Sequence, residues 1–316
     1  KAYARIQSYI IKTPLITNNT INNIVNANVY FKLENLQRTG SFKIRGAANK
    51  ILQLKKNEKS KGVVTYSSGN HAQAVAYVCS LLNIDATIVM PDNAPFIKIK
   101  NTKKYGAEII LYESKLNKAR EDIATEIALK QNKIIIKPYD DLDIIAGQGT
   151  AGKEIVDQLN EKQIKPDIYL CSCGGGGLIA GSSLYLKNSF PNVKNFAVEP
   201  DQFNDTQLSL KNNIIVKNKQ LAISFCDALL APHPGSITFS INRTTLSGGL
   251  SVSDKEVKKT IIELAENLKI VAEPGGAVAA TALLTKKVNV KNKNIVVMIS
   301  GGNIDYKLFS LIVRNQ

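Results

Sequence analysis

The sequence predicts an α/β protein whose parallel strands carry helices on both faces, and three observations support that prediction. Short apolar runs alternate with longer helical segments through residues 62–137. Two apolar strands, residues 62–66 and 167–173, run through serine, asparagine or glycine directly into a helix. The 316-residue length exceeds one ordinary core, so two intertwined parts are expected. The larger takes residues 1–60 and 138–316, and the smaller takes 61–137.

Composition narrows the function class. The hydrophobic content of 44% and charged content of 21% are ordinary for a globular protein. No apolar run approaches the ~20 residues of a membrane span, and no membrane partner is expected. Lys1-Ala2-Tyr3-Ala4-Arg5-Ile6 lacks the apolar core of a signal peptide. The chain opens without Met and is expected to start a few residues inside the natural one; a cytoplasmic location follows by default. The net charge is +15, from 41 basic and 26 acidic residues. The lysines are scattered and not interleaved with aromatics, so no nucleic-acid partner is expected. Cys171 and Cys173 lack the spacing of a tetrahedral zinc site. They are expected on opposite sides of a strand end, and no disulfide is expected in this compartment.

The elements follow in order. Residues 3–12 suggest a short helix. Val29–Leu33 alternates as a strand and delivers the chain to Ser41-Phe42-Lys43-Ile44-Arg45-Gly46-Ala47. Arg45–Leu54 has helical apolar spacing. A lysine set among Phe42, Ile44 and the following small residues would be desolvated, which favours the neutral, nucleophilic amine needed for a Schiff base. On this heptapeptide alone, a helix-face lysine whose stem snorkels over apolar neighbours is the alternative.

Gly62–Tyr66 is a strand that runs through Ser67-Ser68-Gly69-Asn70-His71 into a helix over 72–82. Free backbone N–H groups, the helix dipole and these side chains make an anion site. A plain N-cap is the alternative, but two serines, Asn and His in five residues exceed capping needs. Strands at 86–91, 107–112 and 133–138 alternate with helices at 96–105 and 116–131. Ile144–Thr150 is expected as a glycine-punctuated turn before a helix over 151–159.

Asp167–Cys173 is a buried strand ending in Gly174, Gly175, Gly176 and Gly177. Four glycines between a strand and a helix let backbone amides close on an anion. The pattern matches neither phosphate-loop nor dinucleotide fingerprints, so a cup for a single phosphate is the better reading. Phe196–Pro200 is a strand carrying Glu199. Glu273 is expected to end a strand before a small-residue helix, and Ile295–Ile299 is a last strand delivering Ser300 to its carboxyl end.

Lys32-Leu33-Glu34-Asn35 leading into Ser41–Ala47 resembles the cofactor-lysine motif of the fold-type II pyridoxal-phosphate enzymes. The nearest group is the serine/threonine dehydratases and serine racemases. The resemblance covers essentially the whole chain, with four further motifs in the expected order. It implies a tryptophan synthase β-like fold, two open twisted sheets flanked by helices, and pyridoxal 5'-phosphate as cofactor. The implied cofactor contacts are Phe42, Lys43, Asn70, Gly174, Gly175, Gly176, Gly177, Leu178 and Ser300. Ser67, Ser68, Gly69, Asn70 and His71 would grip the substrate carboxylate, and Ser68 stands where racemases place a second acid/base. Arg120 falls near a substrate-side arginine of one relative; a solvated helix arginine is the alternative. Glu199, the Phe203 carbonyl and Asp205 match a divalent-cation site that would suit Mg²⁺ or Ca²⁺.

The implied activity is an ammonia-lyase (dehydratase) reaction on L-threonine or L-serine, giving the 2-oxo acid and ammonia. Lys43 would serve as imine lysine and then as base. A serine rather than an aspartate at the pyridine nitrogen favours prompt β-elimination over long-lived carbanion chemistry. Phe225–Gly235 and Ser247–Leu250 depart from the threonine dehydratase pattern, which leaves the substrate open. Alternatives are an amino-acid racemase, a 3-hydroxyaspartate dehydratase and, from another class, a non-catalytic phosphate-ligand binding protein. A small amino-acid substrate and a homodimer or homotetramer are expected.

Overall fold

The computed structural model describes residues 1–67, 69–113, 119–219 and 222–314. In chain order the described strands are β1 (Leu15–Ile16), β2 (Asn28–Leu33), β3 (Val63–Tyr66), β4 (Ala86–Pro91) and β5 (Glu108–Tyr112). They continue with β6 (Ile134–Ile135), β7 (Ile168–Ser172), β8 (Lys194–Pro200), β9 (Gly248–Val252) and β10 (Asn294–Ile299). They form two sheets, a six-stranded one in the order β1-β2-β10-β7-β8-β9 and a four-stranded one in the order β5-β4-β3-β6. Every pairing is parallel except β1 with β2.

Alternation along the strands explains the layers. In the larger sheet, Val29, Phe31, Leu170, Val198, Ile295 and Val297 pack toward the helices Asp254–Leu268 and Pro274–Leu284. The intervening Tyr169, Cys171, Ala197, Val296 and Met298 pack toward Leu142–Glu161 and Gly177–Ser189. Successive strand side chains point to opposite faces, so each buried strand supplies two cores. Cys171 and Cys173 share one core, against expectation, because residues two apart on extended backbone lie on the same face. In the smaller sheet, Val63, Ile88 and Met90 face the helices Lys43–Leu52 and Asn70–Leu82, while Val64, Tyr66 and Val89 face the helix Arg120–Gln131. Among the described residues no helix is long and apolar enough to cross a membrane.

The expected turn at 144–150 is instead the interior of a 20-residue helix, Leu142–Glu161. Its glycines serve close packing. A Cβ on Gly147 would lie 2.5 Å from the Arg45 carbonyl oxygen, and one on Gly152 would lie 2.8 Å from Ser182 Cα. Glycine lets three helix backbones approach where any side chain would hold them apart. Residues 270–273 form no strand, so Glu273 stands at the N-cap of Pro274–Leu284.

Under the start of the Lys43–Leu52 helix lies a fully buried ion cluster. Arg45 donates bidentately to Glu34 (both 2.7 Å) and to Glu154 (both 2.8 Å). Lys32 donates to Glu154 at 2.7 Å and to the Thr13 carbonyl at 2.7 Å. Burial acts to lower the Arg45 pKa, but the carboxylates outweigh it and raise the value above the ordinary one. Two cations and two anions balance, so none is left uncompensated.

Candidate active site

The carboxyl ends of β2, β3, β7 and β10 converge on one cleft of about 410 Å³ between the two sheets. That is where open α/β sheets hold ligands. The segment after β2 is drawn beside the segment after β10. Ser41 makes an antiparallel bridge with Gly301, the Phe42 N–H donates to the Ser300 carbonyl at 3.2 Å, and Gly302 N–H donates to Gly40 at 2.8 Å. Lys43 and Ser300 therefore line the same wall.

Lys43 opens its helix and donates from Nζ to the Pro138 carbonyl at 2.8 Å. Burial, and then the positive charge of Arg120, push its pKa down to about 8. Nζ also lies 5.3 Å from the centre of the Phe42 ring. The amine is thus held, partly dehydrated and near the pH at which it becomes a nucleophile or base.

Opposite lies the loop after β3. Ser67 Oγ accepts from Gly69 N–H at 3.1 Å, and Asn70 starts the helix Asn70–Leu82. Asn70 donates its amide to Glu273 and accepts from Asn303 Nδ2 at 2.9 Å. His71 is buried, with its pKa driven down to about 3 by burial and then by the Lys43 charge. Its Nε2 lies 3.3 Å from the Ile136 carbonyl oxygen. That oxygen can only accept, so Nε2 carries the proton and Nδ1 remains an acceptor. Ser68 lies outside the described residues.

Gly174, Gly175, Gly176, Gly177 and Leu178 line the far end. Gly176 has φ +91°, and Gly177 starts the helix Gly177–Ser189, so amides of a left-handed turn and a helix N-terminus gather there. Arg120, the first residue of Arg120–Gln131, also lines the cleft. Its charge is felt at Tyr66, Tyr112 and Tyr139 as well as at Lys43.

Two residues at the site, Lys98 and Glu273, carried no functional signal in the sequence, and their partner Asp227 lay in the stretch Phe225–Gly235 that departs from the expected pattern. Lys98 is 1% exposed and reaches Asp227 at 2.6 Å and Glu273 at 3.0 Å. Burial acts to lower its pKa, yet Glu273 and Asp227 hold it above the ordinary value. Its stem lies under the loop after β3, since a Cβ on Gly69 would be 2.2 Å from Lys98 Cδ. Within Phe96-Ile97-Lys98-Ile99-Lys100 nothing separates this lysine from any other helix lysine, and Glu273 was expected only as the end of a strand.

Glu199, Phe203 and Asp205 stand away from the cleft. Glu199 is the last residue but one of β8 and accepts from the N–H groups of Thr206 (2.9 Å) and Gln207 (2.8 Å). Asp205 Oδ1 accepts from Asn218 at 2.5 Å, whereas buried Oδ2 has no hydrogen-bond partner. Burial and then Asp205 push the Glu199 pKa well above the carboxylate range. Among the described residues no group of three or more His, Cys, Asp or Glu side chains forms a metal cage.

Comparison with known proteins agrees with this geometry. A family profile described as pyridoxal-phosphate dependent enzyme matches residues 6–301. An L-threo-3-hydroxyaspartate ammonia-lyase of Saccharomyces cerevisiae is 40% identical over 312 residues, 99% of this chain and 94% of that protein. The crystal structure of serine racemase from Dictyostelium discoideum superposes with TM-score 0.88 at 39% identity, covering 96% of each chain. That of the processed form of threonine deaminase isoform 2 from Solanum lycopersicum gives TM-score 0.90 at 33% identity, covering 99% of this chain and 90% of the other.

Proposed function

The chain belongs to the pyridoxal-phosphate dependent enzyme family, and from that premise we propose that it is an ammonia-lyase acting on 3-hydroxy amino acids. L-threo-3-hydroxyaspartate is the preferred substrate, ahead of L-serine and L-threonine. The observation that carries this reading is Arg120 in the same cleft as Lys43, near enough for its charge to lower the lysine pKa. A guanidinium there would pair bidentately with a second carboxylate, which serine and threonine lack.

Pyridoxal 5'-phosphate, when bound, supplies the electron sink that acidifies an α-proton and loosens a β-leaving group. The residues around it divide the remaining work. The amides of Gly174–Gly177 would hold its phosphate, and Phe42 and Leu178 would flank it. Ser300 would offer a hydrogen bond to its ring nitrogen, and Asn70 one to its ring oxygen. A serine hydroxyl does not deliver a full positive charge there, which suits elimination. Ser67 Oγ and the first-turn backbone N–H of His71 would orient the substrate carboxylate, since the His71 ring offers that side only an acceptor. Lys43 Nζ, neutral in appreciable fraction because of its lowered pKa, takes the α-proton. The β-hydroxyl leaves as water by taking up the proton that Lys43 has removed, and the released enamine tautomerises and hydrolyses to the 2-oxo acid and ammonia.

The proposal extends to a divalent cation, Mg²⁺ or Ca²⁺, held by Glu199, the Phe203 carbonyl and Asp205. The unpartnered Asp205 Oδ2 beside a second buried carboxyl is what a hard cation would relieve.

The test is to incubate the cofactor-loaded protein with L-serine, L-threonine and the threo and erythro hydroxyaspartates. Oxo acid, ammonia and the chirality of residual substrate are followed together. Fastest oxo-acid release from L-threo-3-hydroxyaspartate supports the reading. Faster release from serine overturns the role of Arg120, and an opposite enantiomer appearing ahead of oxo acid makes the protein a racemase. Silence on all four overturns the substrate class.

A further inference from the structure

We propose that Asp140 and Thr238 are positioning residues for the phosphate end of the cofactor, because together they set the direction of the Gly176 amide. The inference rests on the reading of Gly174–Gly177 as the phosphate-holding loop.

The helix Ser236–Thr245 begins after Gly235, which has no side chain to cap it. Its first amides are satisfied by a carboxylate from far away in sequence. Asp140 Oδ1 accepts from the N–H groups of Ile237 (2.9 Å) and Thr238 (3.2 Å). Oδ2 accepts from Ser236 N–H (3.2 Å) and Ser236 Oγ (3.1 Å). A carboxylate bound to amides at a helix start is favoured both by hydrogen bonding and by the helix dipole. Only glycine fits at 235, since a Cβ there would lie 2.3 Å from Asp140 Oδ1.

The helix so anchored presents fully buried Thr238 to the glycine loop. Thr238 Oγ1 donates to the Gly175 carbonyl at 2.7 Å, and Gly235 N–H reaches the same oxygen at 3.3 Å. A trans peptide points its C=O and the following N–H in opposite directions. With the Gly175 carbonyl drawn back onto this helix, the Gly176 N–H faces the other way, toward the cleft that both glycines line. Tyr139 packs against the same glycine, its ring carbons within 2.4 Å of where a Gly175 Cβ would be. Tyr139 lies between Asp140 and Pro138, the residue whose carbonyl accepts from Lys43. Three consecutive residues therefore reach the lysine, the glycine loop and the helix that pins that loop.

The test titrates pyridoxal 5'-phosphate, and separately pyridoxal, into the cofactor-free protein and reads the visible absorbance of the bound form. The variants are Asp140→Ala, Asp140→Asn, Thr238→Val and Thr238→Ser. Loss of one oriented hydrogen bond predicts about tenfold weaker pyridoxal 5'-phosphate binding for Thr238→Val, with at least as large an effect for Asp140→Ala. Asp140→Asn, which keeps an acceptor, falls between, and Thr238→Ser restores binding. Pyridoxal lacks the phosphate and binds all variants alike. Parallel weakening of both compounds would mean a general structural role and overturns the inference, as does undiminished pyridoxal 5'-phosphate binding in Thr238→Val. Should Asp140→Ala not fold, Thr238→Val, which keeps the buried shape, carries the test alone. Wild-type protein that binds the two compounds equally would overturn the phosphate reading itself, and the inference with it.

Discussion

Lys43 Nζ donates to the carbonyl oxygen of Pro138 at 2.8 Å, so the amine is held by the residue through which the chain leaves the four-stranded sheet. Position and ionisation are thereby set together. Burial and Arg120 bring the pKa from the ordinary 10.5 to about 8. The unfolded chain then binds more protons than the folded one between these values, so this group's contribution to stability rises with pH across that window. In the cofactor-free protein, acylation of Lys43 by a small amine-reactive reagent should rise through pH 8, followed by peptide mass analysis. Arg120→Met removes the second cause and moves the midpoint upward, still below 10.5 because burial remains. An unmoved midpoint would remove Arg120 from the lysine's surroundings.

Arg120 should also govern substrate choice. Losing a charge-assisted bidentate contact costs about 1.5–3 kcal/mol, or about 10–100-fold. Arg120→Met is expected to lose that factor in kcat/KM for L-threo-3-hydroxyaspartate over and above the smaller loss that the raised Lys43 pKa imposes on every substrate, L-serine included. Equal losses on both substrates would show that the guanidinium acts on Lys43 and not on a distal carboxylate.

Lys98 ties elements of the two sheets together. It rises from the helix Phe96–Lys104 beside the smaller sheet and meets Asp227 and Glu273, which belong with the larger. Lys98→Met leaves two carboxylates without their shared cation. Removing one partner of a buried pair typically costs about 3–5 kcal/mol, and urea unfolding of the cofactor-free protein should show it. Lys12, about half exposed and 3.2 Å from Glu161, is the control. Lys12→Met should cost under about 1 kcal/mol.

What the sequence disclosed of this site follows from how each residue is presented. Lys43, the Ser67–His71 loop, Gly174–Gly177 and Ser300 each sit between an apolar run and a helix or chain turn, so local pattern marks them. The cleft brings all of them together apart from Ser68, which lies outside the described residues. Lys98 and Glu273 are marked only by contact across long separations, and Asp227 lay in a stretch whose departure from the expected pattern gave it no role; Lys98 and Asp227 stand 129 positions apart. Nothing local distinguishes a lysine that crosses a cleft from one that faces water. Gly147 and Gly149 misled for a related reason. Glycine permits a turn and also permits close helix packing, and only the partner backbones at Arg45 and Gly181 decide which applies. The motif Lys32–Asn35 was visible, but its content, a buried network reaching Glu154, needed the fold.

Glu199 and Asp205 offer the sharpest contrast of conditions. Without a cation, two buried carboxyls face one another and Asp205 Oδ2 has no hydrogen-bond partner. Asp205→Asn removes that repulsion while its side-chain oxygen can still accept from Asn218. With a chelator present, this variant should therefore melt at or above the wild-type temperature. Ca²⁺ or Mg²⁺ held by the folded state alone stabilises by RT ln(1 + [L]/Kd), about 2.7 kcal/mol at a hundredfold excess over Kd. Adding either ion should raise the wild-type melting temperature and leave Asp205→Asn and Glu199→Gln nearly unmoved, reversing the order seen in chelator. Differential scanning calorimetry in the two conditions reads the crossing directly. If the ranking is the same in both, these carboxyls form a buried pair that holds no ion, and Glu199 serves the fold through the Thr206 and Gln207 amides it accepts from.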